Sequence, residues 1–375
     1  MPTQRKTRPK APTESSAFVP PYPPSWFDRF TTWVDRLPGP AWAFYLIFAA
    51  GVILAGTAIQ WREGAYTVGT FNLLHVWTVG NFVYLLALMH HLDKSAGSAI
   101  ASFHPLLTSA NSGPHVSLQD QSKYTELSYR LTTLPPRPAL IATLAGTAFG
   151  ITWLLFQTTA GMVPPPLAGT ARTTFSTVSM LVLLIVGMAI TFLLAYHTIH
   201  QLVLVSRIYT QHARINIYQL QPLYALSLPG TYTAIGLMLF IYAWNVTGRS
   251  MSQPVGPVEV GLSVSFLAIA GATFVLPLLG AHRRLVAEKN GRLSEASSRF
   301  EAAAERLLRD LDAGRLSQID QLNKALASLE IMQTVLRRIP TWPWQLGAAR
   351  GLLAALLLPV AVWAIQLLLG RLLGT

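Results

Sequence analysis

Cysteine is absent from this chain of 375 residues. Disulfide bonds and thiolate metal sites are therefore excluded. Charge is also scarce, because charged residues make up 12% of the chain and apolar residues 51%, whereas a soluble protein is about a quarter charged. The chain has too little polar surface for a soluble protein, and we expect an integral membrane protein whose first partner is the lipid bilayer.

The motifs of the common enzyme classes are missing as well. The sequence has no glycine-rich phosphate loop, no HExxH zinc motif and no nucleophile elbow. It also has no motif that would hold a cofactor, so we predict none. These absences favour a protein that is not an enzyme.

Long apolar runs dominate the sequence instead. A hydrocarbon core of about 30 Å requires about 20 helical residues, and a helix satisfies its backbone hydrogen bonds within one segment. The runs predict an all-α fold, a polytopic membrane bundle of about seven transmembrane helices. Their predicted bounds are 43–60, 71–90, 139–158, 175–204, 225–246, 260–281 and 350–370.

Basic residues are distributed unevenly among the connections between these helices. The net charge is +12, and 24 of the 28 lysines and arginines fall in alternate connections. Because basic loops stay in the cytoplasm, this distribution predicts a cytoplasmic N-terminus and an external C-terminus, in the cytoplasmic membrane of a prokaryote. It accounts for the charge as membrane orientation, so we predict no nucleic-acid partner.

The polar segments differ in pattern. Residues 1–24 are rich in proline and basic residues, which predicts a disordered tail. Residues 25–37 have an apolar and a charged face, which predicts an amphipathic helix in the membrane interface. The first six transmembrane helices and their cytoplasmic extensions follow in 43–281, and the seventh occupies 350–370.

Residues 282–339 carry two apolar stripes at helical spacing. The stripes are separated at Asp312-Ala313-Gly314, where glycine favours the end of a helix. This pattern predicts a cytoplasmic helical hairpin with coiled-coil character. The stripes must be buried, so we expect residues 290–336 to contact other helix extensions, a second copy of the chain or another protein.

Polar residues within apolar runs are the candidate binding residues, because they are costly in a bilayer. A first set suits a small uncharged or lipophilic substrate and comprises Asn72, His75, Asn81 and Gln157. A second set suits a metal ion or haem and comprises the pairs His90/His91 and His197/His200. Hydrogen bonding or contact with lipid headgroups is the alternative role of the histidines.

Two prolines and two glycines lie inside predicted transmembrane helices. Pro277 and Pro359 each remove a helical hydrogen bond, which makes them hinge candidates or ordinary packing kinks. Gly146 and Gly150 have the spacing that lets two helices approach closely, either within the bundle or between two copies.

The layout of seven helices, an internal N-terminus and cytoplasmic helices before the last crossing resembles the insect odorant and gustatory receptor channels. The resemblance is one of topology and transfers no functional residue. The leading hypothesis is a non-enzymatic membrane protein with a cytoplasmic helical assembly or sensing unit, in its most specific form an oligomeric channel. The alternatives are a carrier that uses the first residue set and a haem- or metal-binding protein that uses the histidines.

Overall fold

The structure is a computed structural model that describes residues 18–107, 118–159, 175–212, 217, 220–247, 257–315, 319–344, 347 and 349–357. Within these residues the fold is all-α, with no strand, as the apolar runs predict. The helices are α1 (Trp26–Asp35), α2 (Ala41–Arg62), α3 (Leu73–Leu107), α4 (Leu118–Thr132), α5 (Pro136–Thr159), α6 (Phe175–Arg207), α7 (Gln221–Ala225), α8 (Ser227–Thr247), α9 (Pro257–Asp312) and α10 (Ile319–Arg338).

Five helical stretches of the described chain are long and apolar enough to cross a membrane. They coincide with the first five predicted transmembrane helices. Their bounds are Ala41–Arg62, Leu73–Phe103, Gln121–Phe156, Phe175–Thr210 and Gln221–Ala243. The sixth predicted segment lies within α9 and the seventh lies largely outside the described residues, so the count of seven stays a prediction.

Helix α3 is the centre of the bundle. It packs against α2, α4, α6, α7 and α8, and its apolar part is far more buried than that of α2. Helices α2 and α5 instead expose large apolar side chains over much of their length, among them Leu46, Ile47, Ile141 and Leu155. An exposed apolar surface of this extent is typical of contact with lipid.

Helix α1 packs against the start of α2 and α5. Ser25 and Asp28 form a capping box at its N-terminus, which satisfies backbone N–H groups that the helix itself leaves free. Phe27 and Val34 are buried against the bundle. The end of the bundle that α1 covers is called the α1 end below.

Gly146 lies at the closest approach of α5 and α6. A Cβ atom at this position would lie 2.6 Å from the carbonyl oxygen of Met188, closer than van der Waals contact allows. At Gly150, one turn further along α5, a Cβ atom would lie 3.3 Å from the Met188 side chain. The glycine spacing is therefore used for packing within the bundle.

Helix α9 runs without interruption through Pro277 for 56 residues, and α10 packs back against its second half. Gly314 supplies the turn with a φ of +69°, a conformation that glycine adopts readily. The ammonium of Lys289 donates to the carbonyl oxygens of Arg337 and Ile339, each at 2.8 Å, at the end of α10. Residues 257–338 thus contain a helical hairpin whose first helix is continuous with the sixth predicted transmembrane segment.

Candidate functional site

Buried polar atoms that lack a hydrogen-bond partner are concentrated on three helices of the described chain. Helices α2, α3 and α6, which carry them, pack against one another. The atoms are Thr57 Oγ1 and Gln60 Oε1 on α2, both ring nitrogens of His75 and Asn81 Oδ1 on α3, and His197 Nδ1, Thr198 Oγ1 and Gln201 Oε1 on α6. We call these seven residues the polar seam. Buried polar groups normally have a partner, so the seam is where a bound molecule would complete the hydrogen bonding.

One end of the polar seam lies beside Glu63, which follows α2. The carboxylate of Glu63 accepts hydrogen bonds from the backbone N–H groups of Phe175 at 3.0 Å and Ser176 at 3.1 Å, where α6 begins. A carboxylate at a helix N-terminus is favourable, because the free N–H groups carry partial positive charge. This contact fixes α6 against α2, and the region is called the Glu63 end below.

His75 is the main polar group at the Glu63 end. Its ring is buried and lies directly on Gly56 of α2, where a Cβ atom would overlap with it. The backbone of Val52 and Ile53 faces the same ring, although neither makes a hydrogen bond of acceptable geometry. The glycine therefore makes room for an imidazole in the interface between α2 and α3.

Asn81 lies in the first third of α3, between the two ends of the polar seam. It is six residues from His75, which corresponds to about 9 Å along the helix axis. Its side chain is partly buried, and its Oδ1 atom is fully buried without a partner. An amide at this depth is costly in a membrane unless another polar group meets it.

His197 and Gln201 form the α1 end of the polar seam. His197 Nε2 lies 2.8 Å from Oδ1 of Asp93 on α3, and the amide nitrogen of Gln201 donates to the carbonyl oxygen of Leu92 at 3.4 Å. Phe27 of α1 covers the imidazole, with ring centroids 6.2 Å apart. The polar groups of α6 are thus anchored to α3 and shielded by α1.

His90 belongs to a separate hydrogen-bonded chain at the same end. Its Nδ1 lies 3.0 Å from the hydroxyl of Tyr45, and its Nε2 lies 3.2 Å from Oδ2 of Asp35. The other oxygen of Asp35 accepts from Lys94 at 2.6 Å. Burial raises the pKa of Asp35, but the hydrogen bonds from Lys94 and His90 outweigh it and hold this pKa below its usual value. An ionised Asp35 needs a donor at Nε2, so neutral His90 accepts at Nδ1 from Tyr45.

The residues predicted for substrate binding have different positions. His75 and Asn81 belong to the polar seam. Asn72 caps α3, because its Oδ1 accepts from the backbone N–H groups of Leu74 at 3.0 Å and His75 at 3.3 Å. Gln157 is part of α5, but its side chain lies outside the described residues.

The four histidines predicted for metal or haem binding each have a separate neighbour. His91 contacts the ring of Tyr232 at 5.1 Å, and Nε2 of His200 lies 3.2 Å from the carbonyl oxygen of Arg130. Among the described residues, no group of three or more His, Asp or Glu side chains could hold a metal ion. Ligation by these histidines stays a prediction. Of the two hinge candidates, Pro277 lies inside α9 and Pro359 lies outside the described residues.

Sequence reasoning missed four members of the polar seam. They are single polar residues in apolar helices, and none belongs to a motif. Their spacing is the available signal, because residues three or four apart share a helix face. The pairs with this spacing are Thr57 with Gln60, His197 with Gln201 and Thr198 with Gln201.

Comparison with known proteins gives no relative of this chain. No protein-family model, no curated protein and no solved structure matches it. Any proposal for its function therefore starts from the polar seam and the surfaces of the chain.

Proposed function

We propose that this chain is an integral membrane protein that provides a path for a small polar species along the polar seam. One observation carries the proposal. The eight buried polar atoms without a partner in the described chain all lie on α2, α3 and α6, from the Glu63 end to the α1 end. A set scattered over the bundle would not form a path.

The length of the polar seam supports this reading. His75 marks one end on α3, and Leu92, whose carbonyl oxygen accepts from Gln201, marks the other. The 17 residues between these positions correspond to about 26 Å of helix, close to the hydrocarbon thickness of about 30 Å. A polar path of this length would connect the two membrane surfaces.

The proposed orientation follows the distribution of basic residues. The α1 end, with Lys94 and the hairpin of α9 and α10, faces the cytoplasm, and the Glu63 end faces outside. Seven crossings then place the C-terminus outside. In this arrangement the path lies within one chain, so the protein acts as a narrow channel or as a carrier that uses His75 and Asn81.

Flux through reconstituted protein tests this proposal. Proteoliposomes are assayed for water, urea and proton flux with the wild-type chain, with Asn81→Leu and with Thr191→Val. Thr191 on α6 is the matched control, because its hydroxyl already donates to the carbonyl oxygen of Gly187 at 2.8 Å. We expect Asn81→Leu to reduce flux of the permeant species by about tenfold or more, since one lost hydrogen bond along the path is worth about 1–3 kcal/mol, while the control keeps wild-type flux. Wild-type flux equal to that of empty liposomes contradicts the proposal.

A second proposal concerns assembly through the hairpin. Leu308 and Ile331 are 61% and 65% exposed, and Leu311 and Val335 are also exposed. These side chains lie on helices with charges of both signs, because residues 282–338 contain 11 basic and eight acidic residues. We propose that a second copy of the chain covers them, since such mixed charge does not repel an identical surface.

The oligomeric mass in detergent tests the assembly. We expect the double variant Leu308→Gln/Ile331→Gln, and a deletion of 290–335, to have a lower mass by light scattering than the wild-type chain. Lys324→Gln is the control, since it changes an exposed charge on α10 and leaves the apolar side chains in place. An unchanged mass in the double variant and the deletion contradicts assembly through the hairpin.

A further inference from the structure

Three unpartnered atoms on α6 gather at the α1 end of the polar seam. They are Nδ1 of His197, Oγ1 of Thr198 and Oε1 of Gln201, and each residue is more than nine-tenths buried. His197 and Gln201 are one helical turn apart on the same face, and Thr198 adjoins His197. Nδ1 of His197 and Oε1 of Gln201, which share that face, can meet one small ligand.

The existing hydrogen bonds determine which atoms accept. Asp93 is a carboxylate that needs a donor, so His197 Nε2, at 2.8 Å, carries the ring hydrogen. Nδ1 of the neutral imidazole then has a free lone pair. The amide nitrogen of Gln201 is used by Leu92, which leaves Oε1 as an acceptor. A ligand must therefore donate hydrogen bonds to both atoms.

The charged groups around His197 and Gln201 favour a cation as the ligand. The Asp93 carboxylate is mostly buried, and its Oδ1 lies 2.8 Å from Nε2 of His197. A second carboxylate, that of Asp28, follows Phe27 on α1, and the ring of Phe27 contacts that of His197. The nearby cations Lys94 and Arg130 are paired with other carboxylates. The titratable and charged groups at the α1 end are Asp28 and Asp35 on α1, His90, Asp93 and Lys94 on α3, Arg130 on α4, and His200 and Arg207 on α6, and of these Asp93 contacts His197 directly.

We propose that His197, Gln201 and Asp93 form a binding site for a small cation that donates hydrogen bonds, either a hydrated proton or an ammonium ion. An ammonium ion donates to His197 Nδ1 and Gln201 Oε1. A hydrated proton transfers its proton to Nδ1, which leaves water and an imidazolium that pairs with Asp93. The transport part of this inference rests on the proposed function, because the site lies at the α1 end of the same path.

Nitrogen spectroscopy of the full chain tests the site without any flux measurement. The protein is labelled with ¹⁵N-histidine, and the His197 signals are identified by their loss in His197→Gln. We expect Nδ1 to lack a hydrogen and Nε2 to carry one at neutral pH. Ammonium chloride at constant pH, compared with choline chloride at the same ionic strength, then shifts the Nδ1 signal if the ligand is ammonium. Acid alone shifts it if the ligand is a proton.

Two variants separate the site from its surroundings. Gln201→Leu removes one acceptor and is expected to weaken the ammonium response about tenfold, or to shift the acid response of His197, because one hydrogen bond to a charged ligand is worth about 1.5–3 kcal/mol. Thr191→Val is the matched control on the same helix, since the Thr191 hydroxyl already donates to the Gly187 carbonyl oxygen and Thr191 is not part of the seam. We expect the control to respond as the wild type does. Size-exclusion elution and unfolding temperature show that each variant is folded.

The outcomes distinguish this inference from the proposed function. A His197 signal that responds to neither ammonium nor acid, or an Nδ1 that carries a hydrogen at neutral pH, overturns the site even if flux is observed. A response of His197 in a protein without flux supports the site and contradicts the path. A response that Gln201→Leu leaves unchanged also overturns the site, because the amide oxygen would then not bind the cation.

Discussion

Nε2 of His90 on α3 lies 3.2 Å from Oδ2 of Asp35 at the end of α1. The two residues are 55 positions apart in the chain, and their contact fastens the short α1 to the central helix. Lys94 shares the same carboxylate, and the Tyr45 hydroxyl holds the far side of the imidazole. Helix α1 is therefore attached to the bundle by hydrogen bonds as well as by the buried Phe27 and Val34.

Asp35 makes stability depend on pH in a defined direction. Because hydrogen bonds lower its pKa in the folded state, its contribution is fully present above the ordinary aspartate pKa of about 3.9 and is lost as the pH falls through the lower folded value. The side chain is 43% exposed, so we expect less than about 1 kcal/mol. Thermal unfolding in detergent from about pH 7 to 2 should show a difference between wild type and Asp35→Asn that is constant at higher pH and shrinks as the pH falls below about 3.9. A difference that does not shrink over that range contradicts the pairing.

Gly146 should be less tolerant of substitution than other glycines of the bundle. A methyl group there meets the Met188 backbone at 2.6 Å, so we expect Gly146→Ala to lower the free energy of unfolding by about 1–3 kcal/mol. Gly51 of α2 is the control, because nothing lies within 4 Å of a Cβ atom at that position. Unfolding in detergent with increasing SDS measures both variants. Equal stability of Gly146→Ala and Gly51→Ala would show that α5 and α6 do not approach so closely.

Glu63 should stabilise the start of α6. Its carboxylate accepts from Phe175 and Ser176, and we expect Glu63→Gln to cost about 0.3–1 kcal/mol through loss of charge at the helix N-terminus. The effect should shrink as salt is added, since the site is exposed. Unfolding at low and high ionic strength measures this, and Glu305→Gln serves as a control for the loss of an exposed negative charge elsewhere. A salt-independent effect would contradict the assignment to the helix terminus.

Asn81 should lower the free energy of unfolding while it supports flux. Replacing a buried polar group that has no partner by an apolar one removes a desolvation cost, so we expect Asn81→Leu to raise the unfolding free energy by about 1 kcal/mol. The same change is expected to reduce flux, a trade between stability and activity that is typical of functional sites. A variant that loses both stability and flux would indicate that Asn81 has a structural role instead.

The parts of this molecule that depend on hydropathy and on the helical spacing of apolar residues could be predicted from the sequence. The five apolar helices, and the positions of His75 and Asn81 within one of them, follow from hydropathy and from the cost of polar groups in lipid. The pairing of the histidines does not follow. The sequence grouped them by their spacing along the chain, whereas the structure gives His90 a carboxylate from α1 and His197 one from α3.

The remaining seam residues are set by tertiary packing. Gln60 lies in an apolar helix, and its sequence neighbours do not indicate that it is buried. Its burial depends on the packing of α3 against α2, where the ring of His75 lies on Gly56. Similarly, Gln201 becomes notable only because α3 presents the Leu92 carbonyl oxygen to it. Contacts between helices far apart in sequence cannot be obtained from the periodicity of either helix alone.

Reactivity of a single cysteine at position 81 is the most direct test that the polar seam holds water in a membrane. The chain has no cysteine of its own, so Asn81→Cys gives an unambiguous signal with a small water-soluble methanethiosulfonate reagent in liposomes. A thiol reacts as the thiolate, which forms only where water reaches it. We predict that Asn81→Cys is modified, whereas Leu144→Cys, on the exposed apolar face of α5, is not. An unreactive cysteine at position 81 in folded protein would contradict the proposed path.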